Sequence, residues 1–154
     1  MERSIVMWRG VIKGRPATKK NSGKIIFVRL GRKQIPKLLP SKTYQQYEEL
    51  ARWQLKRCKP KEPLDWPMRM TALYYLPDRR WWPDLIGLEQ ATQDILQTCG
   101  VITDDRLIVR KDGSHIAGID AVNPRTEIYL CSLPPDDISY DLDPYVIRKK
   151  EAQR

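Results

Sequence analysis

Residues 68–105 read MRMTALYYLPDRRWWPDLIGLEQATQDILQTCGVITDD, a stretch that contains a strand pattern, a short polar loop and a helix pattern in succession. Met68–Leu76 alternates loosely between apolar and polar side chains, which predicts a β-strand. Asp84 stands at the start of the following helix, and Gly100 stands where a left-handed residue commonly ends one. The apolar stripe of this helix consists of Leu85, Leu88, Thr92, Ile95, Leu96 and Cys99.

Two further strands and one helix are predicted on the amino-terminal side. Residues 4–12 are rich in β-branched and aromatic side chains, which indicates a buried first strand, and residues 25–30 form a second. Ser41 can cap a helix that ends before Pro60, because its apolar residues follow the 3.6-residue period. Residues 35–40 are predicted to be a link bounded by prolines.

On the carboxyl-terminal side, short apolar and alternating runs predict a short strand at residues 107–109 and a last strand at residues 126–131, with a turn at residues 112–114 between them. Consecutive strands at both ends of the chain favour an α+β fold with two layers, a mostly antiparallel β-sheet with two helices on one face. A doubly wound fold would need regular alternation of strands and helices. We expect one domain over residues 1–133 and a C-terminal extension over residues 134–154, for which disorder is one interpretation.

Positive charge is concentrated in the amino-terminal part of the chain. Residues 1–62 contain 17 Lys and Arg against 4 Asp and Glu, whereas residues 63–154 contain 11 against 15. Such a field attracts polyanions, and Lys and Arg contacts to DNA gain free energy by releasing counterions. Nucleic acid is therefore the predicted partner, with a merely solubilising surface as the alternative. The candidate DNA-binding residues are Lys13, Arg15, Lys19, Lys20, Asn21, Lys24, Arg79 and Arg80.

The cysteines and the hydropathy pattern exclude several classes of protein. Cys58, Cys99 and Cys131 match no metal-ligand spacing and leave one thiol unpaired in any disulfide scheme, which excludes zinc fingers and disulfide scaffolds. No stretch approaches the roughly 18 apolar residues of a membrane helix, and the amino end lacks the pattern of a secretory signal. We expect a cytoplasmic protein without a membrane partner.

Three carboxylates flank the second predicted helix, with Asp84 at its start and Asp104 and Asp105 just after its end. Clustered carboxylates beside a phosphate commonly hold Mg²⁺, which can activate a water molecule and stabilise the leaving oxygen of a phosphodiester. The alternative is that Asp84 is only a helix cap and that Asp104 and Asp105 only form a turn.

The length of that helix constrains any site built from these carboxylates. The helix rises by about 22 Å between Asp84 and Cys99, and the chain from Cys99 to Asp105 spans at most about 20 Å. A site within one chain is therefore barely possible. A two-fold dimer with antiparallel helices would instead bring Asp84 of one copy near Asp104 and Asp105 of the other.

Trp81 and Trp82 lie beside two arginines, between the predicted strand and the second helix. One interpretation is that the indoles stack on unpaired bases at a DNA branch point. The other is that they form a buried aromatic hinge between strand and helix.

The order of these residues resembles the core of RusA-type crossover-junction endodeoxyribonucleases, a family often encoded by phages and prophages. The run from Gly14 to Asn21 resembles the basic loop that follows the first strand of that family. The resemblance covers about residues 4–131. The segments that carry it in the core are Pro77-Asp78-Arg79-Arg80, Pro83-Asp84-Leu85, Asp94-Ile95-Leu96 and Gly100-Val101-Ile102-Thr103-Asp104-Asp105.

The resemblance implies a homodimer that binds four-way (Holliday) DNA junctions and makes paired nicks that depend on Mg²⁺, with Mn²⁺ as an alternative ion. On this analogy Asp84, Asp104 and Asp105 are the catalytic and metal-binding residues. Ile86 stands where the family usually has a second Asp, and Gln90 stands where it usually has a functional Lys.

These two departures remove one anionic ligand and one positive charge from the implied site. Asp104 is a candidate replacement for the ligand, and Lys19, Lys20 and Lys24 are candidates for the charge. The first functional interpretation is an endonuclease that resolves branched DNA. The second is a dimeric DNA-binding protein of the same fold that cleaves weakly or not at all, and the third is a protein whose basic face meets another acidic partner.

Overall fold

The structure is a computed structural model that describes residues 5–19, 24–39 and 41–133, so the predicted C-terminal extension lies outside the described residues. Within these ranges, no helix is both long and apolar enough to cross a membrane. The elements are β1 (Val6–Lys13), β2 (Lys24–Leu30), β3 (Lys33–Leu39), α1 (Lys42–Cys58), β4 (Met68–Leu76), α2 (Leu85–Thr98), a 3₁₀ turn (Asp105–Leu107), β5 (Ile108–Arg110), β6 (His115–Ile119) and β7 (Arg125–Ser132).

The main sheet has five strands in a mixed, mostly antiparallel arrangement. Its order is β1-β7-β4-β5, and β6 pairs with β4 as well. β7 runs antiparallel to both of its neighbours, whereas β5 and β6 run parallel to β4. α2 is the crossover that makes the parallel pairing with β5 possible, because parallel neighbours cannot be joined by a tight turn. The α+β prediction is confirmed.

One face of the sheet carries both helices. β4 alternates strictly, with Met68, Met70, Ala72, Tyr74 and Leu76 buried, and the first four belong to the hydrophobic core. The helices contribute Tyr44, Tyr47, Ala51 and Leu55 from α1 and Leu88, Ala91, Ile95 and Leu96 from α2 to the same core. The two-layer arrangement with helices on one face is thus what the pattern of apolar residues predicts.

Two buried hydroxyl pairs join the helices to the sheet. Tyr74 Oη of β4 lies 2.7 Å from Thr92 Oγ1 of α2, and Tyr47 Oη of α1 lies 2.8 Å from Thr126 Oγ1 of β7. A buried hydroxyl without a partner costs free energy, so each pair favours one seating of its helix on the sheet.

The prediction of a link over residues 35–40 is wrong, because residues 33–39 form β3 in a hairpin with β2. Proline is tolerated in a strand at a sheet edge, and both strands of a two-stranded ribbon are edges. Pro36 pairs with Phe27, and Gly31 begins the two-residue turn with a φ of +63°. The strand β6 was not predicted either.

The hairpin of residues 24–39, called here the basic hairpin, stands apart from the main sheet. Within the described residues its strands pair with each other and with no strand of that sheet. Its sequence contains no Asp or Glu. Its exposed side chains include Ile25, Phe27, Arg29, Leu30, Arg32, Lys33, Ile35 and Lys37. The hairpin therefore presents a positive ribbon with apolar side chains interspersed.

Candidate functional site

Asp84 caps α2. Its carboxylate accepts a hydrogen bond of 3.0 Å from the backbone N–H of Gly87, as the capping interpretation requires. A Cβ on Gly87 would lie 2.7 Å from Asp84 Oδ1 and 3.1 Å from Cγ2 of Thr18. The absence of a side chain at Gly87 thus lets the loop after β1 pack against the first turn of α2.

A cavity of about 280 Å³, called here the α2 groove, runs along the side of this helix. Its walls combine residues three, four and seven positions apart on α2 with one residue from the loop after β1 and one from the 3₁₀ turn. The lining residues are Lys19, Gly87, Gln90, Ala91, Gln93, Asp94 and Asp105.

Lys19 brings a positive charge into the α2 groove. Its Nζ donates to Asp94 Oδ2 at 2.8 Å, and it lies 5.5 Å from the centre of the Tyr44 ring. Both contacts hold the ammonium group in place, the first by charge pairing and the second by the negative face of the ring. Lys19 and Gln90 both line the groove. Gln90 occupies the position at which the family named in the sequence analysis usually has a lysine.

Asp105 lines the α2 groove, and its backbone N–H donates to Gln97 Oε1 at 3.0 Å. Partial burial raises the pKa of the Asp105 carboxyl above its ordinary value, and the neighbouring carboxylates of Asp104 and Asp94 raise it further. This direction is typical of clustered acids that repel each other. A bound cation would relieve that repulsion.

Asp104 has a different local role from Asp105. It caps the 3₁₀ turn by accepting a hydrogen bond of 2.9 Å from the backbone N–H of Arg106, and its carboxylate lies 3.5 Å from Arg106 Nε. Asp104 therefore forms part of a turn, and its metal-binding role stays a prediction. Of these two neighbouring acids, Asp105 lines the α2 groove and Asp104 does not.

Within one chain, Asp84 and Asp105 belong to opposite ends of α2. Asp84 precedes the first turn, and the backbone N–H of Asp105 donates to the side chain of Gln97 in the last turn. The helix axis rises by roughly 20 Å between residues 84 and 97. Among residues 5–19, 24–39 and 41–133, no group of three or more His, Cys, Asp or Glu side chains could hold a metal ion.

The donors that the α2 groove brings together are nevertheless of the kind that Mg²⁺ binds. They are the carboxylates of Asp94 and Asp105 and the amide oxygens of Gln90 and Gln93. Mg²⁺ prefers oxygen ligands, keeps several waters, and is usually held by one or two carboxylates together with substrate phosphate. The donor set therefore fits this ion.

Comparison with known families gives one match. The family model of the endodeoxyribonuclease RusA matches residues 11–130. The chain belongs to the RusA endodeoxyribonuclease family. The matched region begins in β1 and ends in β7, so it includes the α2 groove and both helices. No curated protein matches the chain.

Membership of the RusA family implies a nuclease that acts on Holliday junctions, so the predicted DNA-binding residues are of direct interest. The guanidinium of Arg15 donates to the backbone carbonyl of Arg80 and lies 3.5 Å from Asp78 Oδ1. Arg79 lines a separate cavity with Trp82. The structure thus brings Arg15, Arg79 and Arg80 into one region before α2.

The remaining predicted DNA-binding residues are described only in part. Lys13 ends β1, and its backbone N–H donates to Gln54 Oε1 at 2.7 Å. Lys24 begins β2, but its side chain lies outside the described residues, as Lys20 and Asn21 do entirely. Lys19 is the one predicted basic residue found in the α2 groove of the described chain.

Trp81 and Trp82 are exposed, so the interpretation as a buried hinge is wrong. Their exposed fractions are 86% and 54%, and Trp81 has a φ of +54°. Both line a cavity of about 520 Å³ together with Arg15 and other residues of the loop after β1.

Sequence reasoning did not identify Asp94, Gln93 and Lys19 as neighbours in one site. The signal was present in the spacing of Gly87, Gln90 and Asp94, which lie three and four residues apart and share one face of α2. That face is small and polar, opposite the apolar stripe. The seating of Lys19 against it depends on the path of a loop, which residue spacing does not reveal.

The two departures from the RusA pattern have different surroundings. Ile86 is 62% exposed at the start of α2. Gln90 lines the α2 groove, in which Lys19 supplies an ammonium group. The missing carboxylate is therefore not replaced at position 86, whereas a positive charge is present beside position 90.

Proposed function

We propose that the protein is a Mg²⁺-dependent endonuclease that resolves Holliday junctions, with Mn²⁺ as an alternative ion. The observation that supports this most is the α2 groove, in which Asp94 and Asp105 lie with Lys19 inside the region matched by the RusA family. The acids offer ligands for the ion, and the lysine offers a charge for a phosphate.

Asp105 and Asp94 would hold the ion, with an amide oxygen of Gln90 or Gln93 as a further ligand. When bound, Mg²⁺ activates a water molecule and stabilises charge on the leaving oxygen of a phosphodiester. Asp104 supports this arrangement by fixing the turn that carries Asp105.

Lys19 is proposed to supply the positive charge that Gln90 does not. Its ammonium lies 2.8 Å from Asp94, so it is held at the acids before DNA arrives. A preorganised cation stabilises the negative charge that develops on phosphate oxygens during cleavage. Lys20 and Lys24 are proposed to contact the DNA backbone.

The basic hairpin and the loop after β1 are proposed to hold the arms of the junction. Arg29, Arg32, Lys33 and Lys37 are exposed on a ribbon without acidic residues. We propose that these charges contact the phosphates of the DNA backbone. Such contacts position the protein through phosphates and do not read the sequence of the bases.

A homodimer is proposed to complete the active sites. Within one chain α2 holds Asp84 and Asp105 toward its opposite ends. A two-fold axis that sets two copies of α2 antiparallel would bring Asp84 of one copy to Asp105 of the other. Two such sites in one particle suit the paired nicks that resolve a four-way junction.

The cytoplasm is the proposed location, since the three thiols of the described chain are free and disulfides are rare in reducing compartments. The alternative function is a dimeric protein of the same fold that binds branched DNA and cleaves it weakly or not at all. One observation favours it: Ile86 offers no ligand at a position where the family usually has an acid.

The decisive experiment uses the purified full chain and a synthetic four-way junction in Mg²⁺ buffer. We expect paired nicks from the wild type, loss of nicking in Asp84→Asn and Asp105→Asn, and retained junction binding in both variants. Calorimetric titration with Mg²⁺ and Mn²⁺ in the presence of junction gives a second readout. Tight junction binding by the wild type without nicking in either ion would support the binding protein instead.

Mixing the two inactive variants tests the shared site. In a dimer that carries Asp84→Asn in one copy and Asp105→Asn in the other, one of the two shared sites keeps both acids. Random mixing should therefore restore about one quarter of the wild-type sites, as single nicks rather than paired ones. No restoration in the mixture, with heterodimers verified by mass, would place the complete site within one chain.

A further inference from the structure

The two tryptophans before α2 are exposed to solvent and do not belong to the hydrophobic core. Trp81 is 86% exposed and Trp82 is 54% exposed, although large aromatic side chains usually bury most of their surface in a folded domain. Trp82 lies two residues from Asp84, the cap of α2. An exposed aromatic pair therefore stands beside the start of the candidate active-site helix.

The backbone of Trp81 is strained. Its φ of +54° is the only positive value at a residue other than glycine in the described chain, and a bulky side chain is disfavoured in that conformation. Strain of this kind is concentrated at functional sites. Since glycine would relieve the strain, an exposed indole kept at this position indicates a role for the ring itself.

The charges around the pair suit an anionic ligand with flat rings. The cavity of about 520 Å³ that both indoles line is also lined by Arg15, and Trp82 lines a second cavity with Arg79. Arg80 precedes Trp81 directly and is exposed. Asp78 is the acid of this loop, and it is engaged by Arg15 at 3.5 Å. Arginines beside exposed indoles are the combination that binds unpaired nucleotides, by phosphate contact and base stacking.

We infer that Trp81 and Trp82 form a stacking site for an unpaired nucleobase at the branch point of the DNA junction. This inference rests on the proposed function, because it assigns the part of the same substrate that the loop before α2 contacts. Stacking tolerates every base, so the site selects for an open branch point rather than for a sequence. Trp81 and Trp82 are then specificity-determining residues.

The test measures binding without cleavage, in Ca²⁺ buffer, with matched junction and duplex DNA. We expect Trp81→Ala to weaken junction binding on the order of tenfold and duplex binding by less than about twofold, since stacking needs an unpaired base. Trp81→Phe keeps an aromatic face and should retain most of the selectivity. Trp53→Ala is the matched control, because Trp53 is a comparably exposed indole (65%) on α1 that lines neither cavity of the tryptophan pair.

A second variant separates stacking from folding. Trp81→Gly removes the indole and also relieves the positive φ, so we expect its Tm to rise while its selectivity for junctions falls. A junction with 2-aminopurine at the branch point reports stacking directly, as quenching by the wild type and by Trp53→Ala but not by Trp81→Ala.

Equal selectivity in wild type, Trp81→Ala and Trp81→Gly would overturn the inference, as would equal 2-aminopurine quenching by all variants. Because these measurements need no cleavage, they are independent of the nicking assay. A wild type that fails to nick in Mg²⁺ and Mn²⁺ but shows the expected quenching would refute the nuclease and leave the stacking site standing.

Discussion

Lys19 Nζ lies 2.8 Å from Asp94 Oδ2, and this ion pair fastens the loop after β1 to the middle of α2. Both side chains are partly exposed, so the pair adds little to folding stability. The ion pair instead holds the ammonium group of Lys19 in the α2 groove, which Gln90 also lines.

Replacing Lys19 should therefore affect cleavage far more than folding. We expect Lys19→Met to reduce the rate of junction nicking on the order of a hundredfold, the usual effect of removing one preorganised charge donor. Lys19→Arg should retain part of the activity. The assay is single-turnover nicking at saturating protein, with Lys61→Met as a control for loss of one surface lysine. Equal rates for Lys19→Met and Lys61→Met would contradict the role of Lys19.

The basic hairpin should determine how strongly DNA binding depends on salt. Removing a side chain that neutralises one phosphate should reduce the slope of log K against log salt concentration by about 0.9. We therefore expect Arg29→Gln combined with Lys33→Gln to flatten that slope for junction and duplex alike. The control is Lys56→Gln combined with Arg57→Gln at the exposed end of α1. Identical slopes for wild type and the hairpin variant would show that the hairpin does not touch DNA.

Gly87 should be more important for activity than for stability. In Gly87→Ala the new Cβ would lie 2.7 Å from Asp84 Oδ1 and 3.1 Å from Thr18, so the cap and the loop that carries Lys19 must shift. The weakened cap costs about 1 kcal/mol, and alanine in a helix returns roughly the same amount. We expect a Tm close to that of the wild type and nicking reduced at least tenfold.

Gly118→Ala is the matched control for Gly87→Ala, because a Cβ at Gly118 would meet no other atom within 4 Å. This variant should keep wild-type nicking. Full activity in Gly87→Ala would show that the loop tolerates displacement and that its contact with α2 is not needed.

The loss of folding stability at alkaline pH should depend on the buried phenol of Tyr47. Burial raises the pKa of its phenol from 10.0 to about 12, and the hydrogen bond with Thr126 opposes that rise only in part. The neutral form is favoured in the folded state, so the stabilisation is fully present below pH 10 and is lost as the pH rises toward 12. We expect Tyr47→Phe to reduce the fall in unfolding free energy over this range.

At neutral pH, Tyr47→Phe should cost about 1–2 kcal/mol because Thr126 loses its buried partner. The double variant with Thr126→Val separates the two effects, since it removes the unpaired hydroxyl and keeps the altered alkaline behaviour. Denaturant unfolding at pH 7, 10 and 11 measures both. An unchanged alkaline loss in Tyr47→Phe would assign that loss to the other buried tyrosines.

The ion pair between Glu89 and Lys111 should contribute to the free energy of unfolding. Glu89 is only 9% exposed, and its Oε2 lies 3.2 Å from Lys111 Nζ. Lys111→Met leaves a largely buried carboxylate without this partner, which should cost about 1–2 kcal/mol of unfolding free energy. Adding Glu89→Gln should recover much of that loss. A double variant no more stable than Lys111→Met would indicate that the cost has another origin.

Much of the fold follows from local patterns. The periodicity of α1 and α2, the cap at Ser41 and the alternation of β4 predict elements close to those observed. β3 was missed because Pro36 indicates the boundary of a link when only local sequence is considered, although a ribbon with two outer edges accepts proline. β6 is a short strand that pairs with the end of β4 through long-range contacts, which no local pattern encodes.

The candidate site was predictable only in part. The structure places Asp105 in the wall of the α2 groove and Asp84 and Asp104 at caps, and the catalytic roles of all three remain predictions. The groove itself depends on Lys19 crossing onto α2, which is a property of loop packing. The exposure of Trp81 could not be predicted either, because no neighbouring residue type indicates that its backbone adopts a positive φ.

The hydrogen-bond ladder between β2 and β3 forms a sheet of its own, so its sequence can vary independently of the main sheet. Because that ladder is separate from the hydrogen bonding of the five-stranded sheet, its length and composition can be altered without repacking the buried layer. If the basic hairpin contacts DNA as proposed, that contact can vary while the five-stranded sheet and its helices stay the same. Exchanging residues 24–39 between relatives should transfer the salt dependence of DNA binding and leave thermal stability nearly unaltered.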